Sequence, residues 1–255
     1  MAFKRIIPNL LLKDGEFYTS YKFRKLLYIG DSANILNIFN KKCIDELVIT
    51  PVSYVNEKSL IDDIRQISKF CFVPLSINGA LHDLFSVKTL LDSGVERVFF
   101  HRSIFTHNNS LIESVATLYG TQAVGISLVI KRTLLKGVYK FYNNSLRKFL
   151  SDDENFNLTS LLSRKLHSEI LITNLTKDGT YNGFGEYDIL QKFTKEKVIV
   201  SGGVSSYEEI QELLEIESVS AVAASSLFAY AGLNQGVLIN YPNEKSIERK
   251  RSSCL

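Results

Sequence analysis

The sequence has 255 residues, 45% of them apolar, and 30 Lys and Arg against 27 Asp and Glu give a formal net charge of +3. That length suits a single α/β barrel of about 250 residues, while so even a charge argues against nucleic acid, whose binding faces carry a basic stripe with interleaved aromatics. Neither a signal-peptide pattern nor an apolar run of about 18 residues occurs, which points to a cytoplasmic protein off the membrane. Cys43, Cys71 and Cys254 are isolated, without CxxC spacing, so the expectation is a reducing compartment with no disulfide frame and no zinc site.

In chain order, strand-like runs fall at 5–12 (RIIPNLLL), 46–50 (ELVIT), 73–77 (VPLSI) and 97–100 (RVFF). Four more follow at 123–130 (AVGISLVI), 169–173 (EILIT), 197–200 (KVIV) and 220–224 (SAVAA). Between them apolar residues recur at helical spacing in 33–39, 60–67, 87–91, 111–118, 158–166 and 207–214. Such alternation builds a parallel sheet. Residues 133–157 exceed a normal loop, with alternation at 138–142 suggesting a short hairpin strand, and 19–29 reads as a second long loop rich in Tyr and Lys. Both are expected to act as lids at the C-terminal ends of the strands.

An internal echo decides between an open sheet and a closed one. ELVIT at 46–50 returns as EILIT at 169–173, Asn78-Gly79 as Ser201-Gly202, and Ser103-Ile104-Phe105 as Ser226-Leu227-Phe228, all at an offset of about 123 residues, or four βα units. LLLK at 10–13 similarly echoes LVIK at 128–131. Two half-barrels of this kind close into a (β/α)8 TIM barrel. One domain over 1–242 and a polar tail over 243–255 are expected.

The repeat implies paired phosphate sites at the strand ends, and therefore a phosphorylated small molecule as ligand. In the second half, Gly179, Thr180, Gly202, Gly203, Ala224 and Ser225 supply the glycines, hydroxyls and small side chains that let backbone amides meet an anion. In the first half only Gly79 and Ser103 remain, next to bulky Phe99, Phe100, His101 and Arg102. The same glycines also suit tight βα turns. Catalytic side chains of barrels sit at strand C-termini, yet these ends read Leu10-Leu11-Leu12, Thr50-Pro51-Val52 and Leu128-Val129-Ile130. Lys13, Asp14, Lys131 and Asp178 lie nearby without forming a carboxylate pair, and His82, His101, His107 and His167 have no ligand or dyad spacing. No metal and no cofactor are expected. Arg5, Glu46, Arg97 and Glu169 open four strands, where they form either a ring of ion pairs across the barrel floor or ordinary solvated charge.

The sequence resembles the HisF family, the cyclase subunit of imidazole glycerol phosphate synthase, along nearly its whole length. The resemblance rests on KRII at 4–7, LKDG at 12–15, IDELV at 44–48, SLI at 110–112, QAV at 122–124, KDGTxxG at 177–183, SGG at 201–203 and AAS at 223–225. It implies a glutaminase subunit on the N-terminal barrel face and ammonia passing through the barrel, with Arg5, Glu46, Arg97 and Glu169 on the family's charged gate and arginine at 97 where lysine is usual. It also places Leu11 and Val129 at the family's two catalytic aspartates, Pro51 at another, and Thr19 at the first-loop lysine. The phrases RIIPNLLLKDG and KFRKLLYIGD are most similar to a HisF-like branch found with surface-carbohydrate genes. That branch implies a HisH-like glutaminase feeding a sugar amidotransferase that makes an acetamidino sugar. The alternative is a true cyclase of histidine biosynthesis.

Overall fold

A computed structural model describes residues 3–52, 57–79, 81–101, 109–133, 138–143, 146–231 and 236–242. Eight parallel strands close on themselves: β1 (Arg5–Lys13), β4 (Leu47–Pro51), β5 (Leu75–Asn78), β6 (Arg97–Phe100), β7 (Val124–Arg132), β10 (Glu169–Asn174), β11 (Val198–Ser201) and β12 (Val219–Ala224). The seam is β12 against β1, with Arg5 opposite Ala221 and Pro8 opposite Ala224. This is the (β/α)8 barrel expected from the repeat. The third strand begins two residues later than expected, because Pro74 has no N–H to give; its carbonyl instead accepts from Leu47 N at 2.8 Å.

Helices cover the outside where apolar stripes meet the sheet. In α2 (Glu57–Phe70), Leu60, Ile61, Ile64 and Ile67 are buried at helical spacing. Starts are fixed by side-chain caps: Asp31 accepts from Asn34 N at the head of α1 (Ser32–Lys41), and Ser151 with Glu154 forms a reciprocal capping box on α5 (Asp152–Ser163). The remaining helices are α3 (Leu84–Leu91), α4 (Ser110–Tyr119), α6 (Tyr187–Leu190), α7 (Tyr207–Glu215) and α8 (Ser226–Ala229). Neither α6 nor α8 was foreseen, since four residues carry no helical period.

One further departure from the sequence reading concerns the rim. Residues 19–29 are not a loop but most of a hairpin, β2 (Glu16–Tyr21) and β3 (Lys25–Asp31), turned by Lys22 and Phe23 in left-handed conformations. The other long segment does form a short strand, β8 (Tyr139–Asn143), which pairs with β7 and with β9 (Lys148–Phe149). Cys71 is free, while Cys254 lies outside the described residues, so the expectation of no disulfide frame is not decided by them. The chain's late segment is anchored at the floor by Tyr241, whose hydroxyl donates to Ile6 O at 2.8 Å and accepts from Asp45 N at 3.1 Å. The expected tail at 243–255 lies outside the described residues, and no described helix is long and apolar enough to cross a membrane.

Candidate functional site

Because side chains alternate along each strand, every second residue enters the barrel, and the interior is stacked in layers that change character from floor to mouth. On β1 the inward series is Arg5, Ile7, Asn9, Leu11; on β4 and the residue before it, Glu46, Val48, Thr50; on β6, Arg97 and Phe99.

At the floor the four charged residues meet. Arg5 reaches Glu46 at 2.5 Å and also pairs with Glu169, while Arg97 lies 2.7 Å from Glu169 and 3.4 Å from Glu46. Ser76 donates to Glu46 at 2.6 Å and Ser220 to Glu169 at 2.5 Å, so each carboxylate is held by hydroxyl and guanidinium together. The glutamates are 2% and 4% exposed, and burial opposes charge on both. They resolve that cost differently. Burial outweighs the arginines and Ser76 at Glu46 and pushes its carboxyl up; at Glu169 the Arg5 hydrogen bond and both arginine charges outweigh burial and hold it down. Repulsion from Glu169 adds to burial at Glu46.

Above the floor lies an apolar layer of Ile7, Val48, Phe99, Leu171, Ile199, Ala221 and Ala223, packed separately from the outer core. Above that, the mouth opens into a cleft that includes Leu11, Asp178, Gly202, Gly203 and Ser225 in its lining. Val129 is buried beside Thr173, its register partner on β10. Neither Leu11 nor Val129 can exchange a proton. In their neighbourhood stands a neutral chain that sequence reading missed: Asn78 Nδ2 donates to Thr50 Oγ1 and Thr50 donates to Asn9, both at 3.1 Å. The period-two pattern through Arg5 and Glu46 was the signal that could have found them.

The second-half wall of the cleft includes Gly179, Gly202, Gly203, Ala224 and Ser225. Gly203 has φ +94, and a Cβ there would lie 2.5 Å from Lys177 Cβ and 2.6 Å from Gly183 O, so only glycine fits. Its N–H takes no backbone acceptor among the described residues, and the Ser225 hydroxyl is buried without a partner. The first-half counterpart differs: Gly79 N donates to Phe99 O at 2.8 Å and is spent within the sheet. Gly79 and Thr180 do not line the cleft; Thr180 turns both its N–H and its hydroxyl onto Lys177 O. Ser103, His107 and Arg102 lie outside the described residues. Among those described, no group of His, Cys, Asp and Glu could hold a metal ion.

The hairpin closes over this wall through Asp178. Its carboxylate accepts from Ser20 Oγ at 2.5 Å and Phe23 N at 3.2 Å, and its carbonyl accepts from Lys22 N at 2.9 Å. Burial, opposed by those two side-chain contacts, raises the Asp178 pKa to about 6. Beneath, a Cβ on Gly179 would come within 2.1 Å of Ser20 O, so the hairpin and this turn touch backbone to backbone.

Comparisons with known proteins agree with this architecture. The family model described as histidine biosynthesis protein matches residues 5–232. A Leptospira interrogans protein provisionally named imidazole glycerol phosphate synthase subunit HisF is 33% identical over 253 residues, covering 96% of this chain and 97% of the relative. A Pseudomonas aeruginosa protein provisionally named subunit hisF2 is 30% identical over 252 residues, 97% of this chain and 99% of its own length. The Geobacillus kaustophilus imidazole glycerol phosphate synthase subunit HisF is 26% identical over 255 residues, 97% and 99% of the two chains. The chain belongs to the histidine biosynthesis protein family, among its HisF-like cyclase-subunit members.

Proposed function

We propose that this chain is the synthase-side subunit of a glutamine amidotransferase complex: a HisH-like glutaminase docks on the N-terminal face of the barrel, and ammonia enters at Arg5, Glu46, Arg97 and Glu169 and travels toward the mouth. The observation that carries this reading is the contrast between a complete floor and a mouth in which Leu11 and Val129 offer no acid or base. The acceptor of the ammonia is then on another protein, a sugar amidotransferase making an acetamidino sugar, and the complex works in the cytoplasm. A phosphorylated small molecule fits the wall formed by Gly179, Gly202, Gly203, Ala224 and Ser225, with no cofactor and no metal required. The residues up to 242 serve as one barrel domain and the remainder as a tail.

The second reading is a cyclase of histidine biosynthesis. The names of the relatives favour it, as does Asp178, a carboxyl of pKa about 6 in the mouth lining. An assay with ammonium salt and the cyclase substrate, without glutaminase, separates the two. Loss of a general acid or base lowers rate by roughly 10²- to 10⁴-fold, so the proposed function predicts turnover reduced at least that far against an ordinary cyclase. Comparable turnover would establish the second reading instead.

A further inference from the structure

The passage just proposed runs through the apolar layer, and that layer is full. Phe99 is completely buried among Ile7, Val48, Leu171, Ile199, Ala221 and Ala223, two residues above Arg97 on the same inward face of β6. Its ring lies against the neighbouring strand β7, where its register partner is Gly125. A Cβ on Gly125 would lie 2.3 Å from Phe99 Cδ1 and 2.5 Å from Cε1, closer than atoms can pack. The φ of Gly125 is not left-handed, so its backbone would accept any residue; the ring alone demands glycine there. Glycine weakens a strand interior, and at this place the sequence accepts that weakness to seat an aromatic ring in the bore. The Arg97 guanidinium stands 5.7 Å from the ring centroid, which links the ring to the charged floor.

We propose that Phe99, seated on Gly125, is a stopper across the barrel bore, in series with the charged floor, so that nothing the size of ammonia passes until the ring leaves its seat. The free space lies on the mouth side, beyond Asn9, Thr50 and Asn78, which line the open cleft; the ring therefore opens toward the mouth. A packed interior is the rule for such barrels, and a conduit built in one needs a movable part. This inference rests on the conduit reading for its purpose but not for its geometry.

Two measurements on the full chain test it. In urea unfolding, Gly125→Ala is expected to lower the midpoint in the wild-type background and to raise it, or leave it unchanged, in Phe99→Ala, an unequal response that marks direct coupling. Equal shifts in both backgrounds would show that the ring does not rest on Gly125 and would overturn the proposal. In crystals under xenon pressure, the wild-type bore is expected to hold no xenon between floor and mouth, whereas the Phe99→Ala bore holds it, as apolar cavities do. Xenon beside an unmoved Phe99 ring in the wild-type would overturn the stopper even if Phe99→Ala failed to fold. A barrel that binds no glutaminase would sink the proposed function while leaving both of these readouts unchanged.

Discussion

The two ends of this barrel have been treated differently. At the floor, two arginines and two glutamates make four close contacts, supported by Ser76 and Ser220. At the mouth, the inward positions carry leucine, valine and amides, and the nearest carboxyl, Asp178, is engaged in holding the hairpin. A buried ion cluster is not retained for stability, because well-packed apolar residues would serve as well or better. Its presence beneath a mouth in which Leu11 and Val129 can neither give nor take a proton is what the proposed conduit accounts for.

The largest expected effect lies there. Glu169→Ala leaves Arg5 and Arg97 without their stronger partner, and breaking such a buried pair typically costs about 3–5 kcal/mol. Glu46→Ala should cost less, because burial already disfavours the charged form of Glu46. Urea denaturation at neutral pH compares the two; a larger loss for Glu46→Ala would reverse the asymmetry. In acid the two groups act in opposite directions. The depressed Glu169 contributes stability at neutral pH that is lost as pH falls through its folded value, whereas the ionised Glu46 carries a cost that protonation relieves.

A middle-sized effect is expected at the hairpin. Asp178 is raised to about 6 in the fold from an ordinary value of 3.8, so its ionised form costs stability that begins to accrue near pH 4 and is complete by about pH 7. Two units of such a shift correspond to about 3 kcal/mol at most. Relative to wild type, Asp178→Asn should therefore gain stability between pH 4 and pH 7 and level off beyond. Parallel stability profiles across that range would show that the carboxyl is not held in a desolvated latch.

The smallest effect concerns the phosphate wall. Gly203→Val forces a side chain against Lys177 and Gly183 at a left-handed φ, which costs about 1–3 kcal/mol in strain. It should also abolish sulfate binding in soaked wild-type-like crystals, where density is expected beside Gly203 and Ser225. Sulfate beside Gly79 alone would invert the reading, since the Gly79 N–H is already given to Phe99 O.

Much of this was legible before any coordinates. β-branched runs locate the strands, the 123-residue echo closes the sheet, and charge at four strand starts anticipates the floor because a closed barrel must bring inward strand starts together. What escaped depended on register and on contacts distant in sequence. The Glu16–Asp31 hairpin turns on Lys22 and Phe23 rather than on an Asn-Gly signal, and its pairing slips between Phe17 and Tyr18. Asn9 and Thr50 read as ordinary strand residues and Asn78 as part of a turn, until three strands set them side by side. Phe99 was read as crowding a phosphate; its ring instead packs within the apolar layer, where Gly125 on the next strand makes room for it.

The contrast between the ends is tested most directly by the floor's own partner. Purified barrel and a HisH-like glutaminase should co-purify at micromolar concentrations, and the barrel should raise glutamine hydrolysis, with Arg5→Ala weakening that stimulation while Leu11→Asp leaves it unchanged. Failure to form a complex, or hydrolysis indifferent to the wild-type barrel, would contradict the account, because the floor would then have no function to explain its retention.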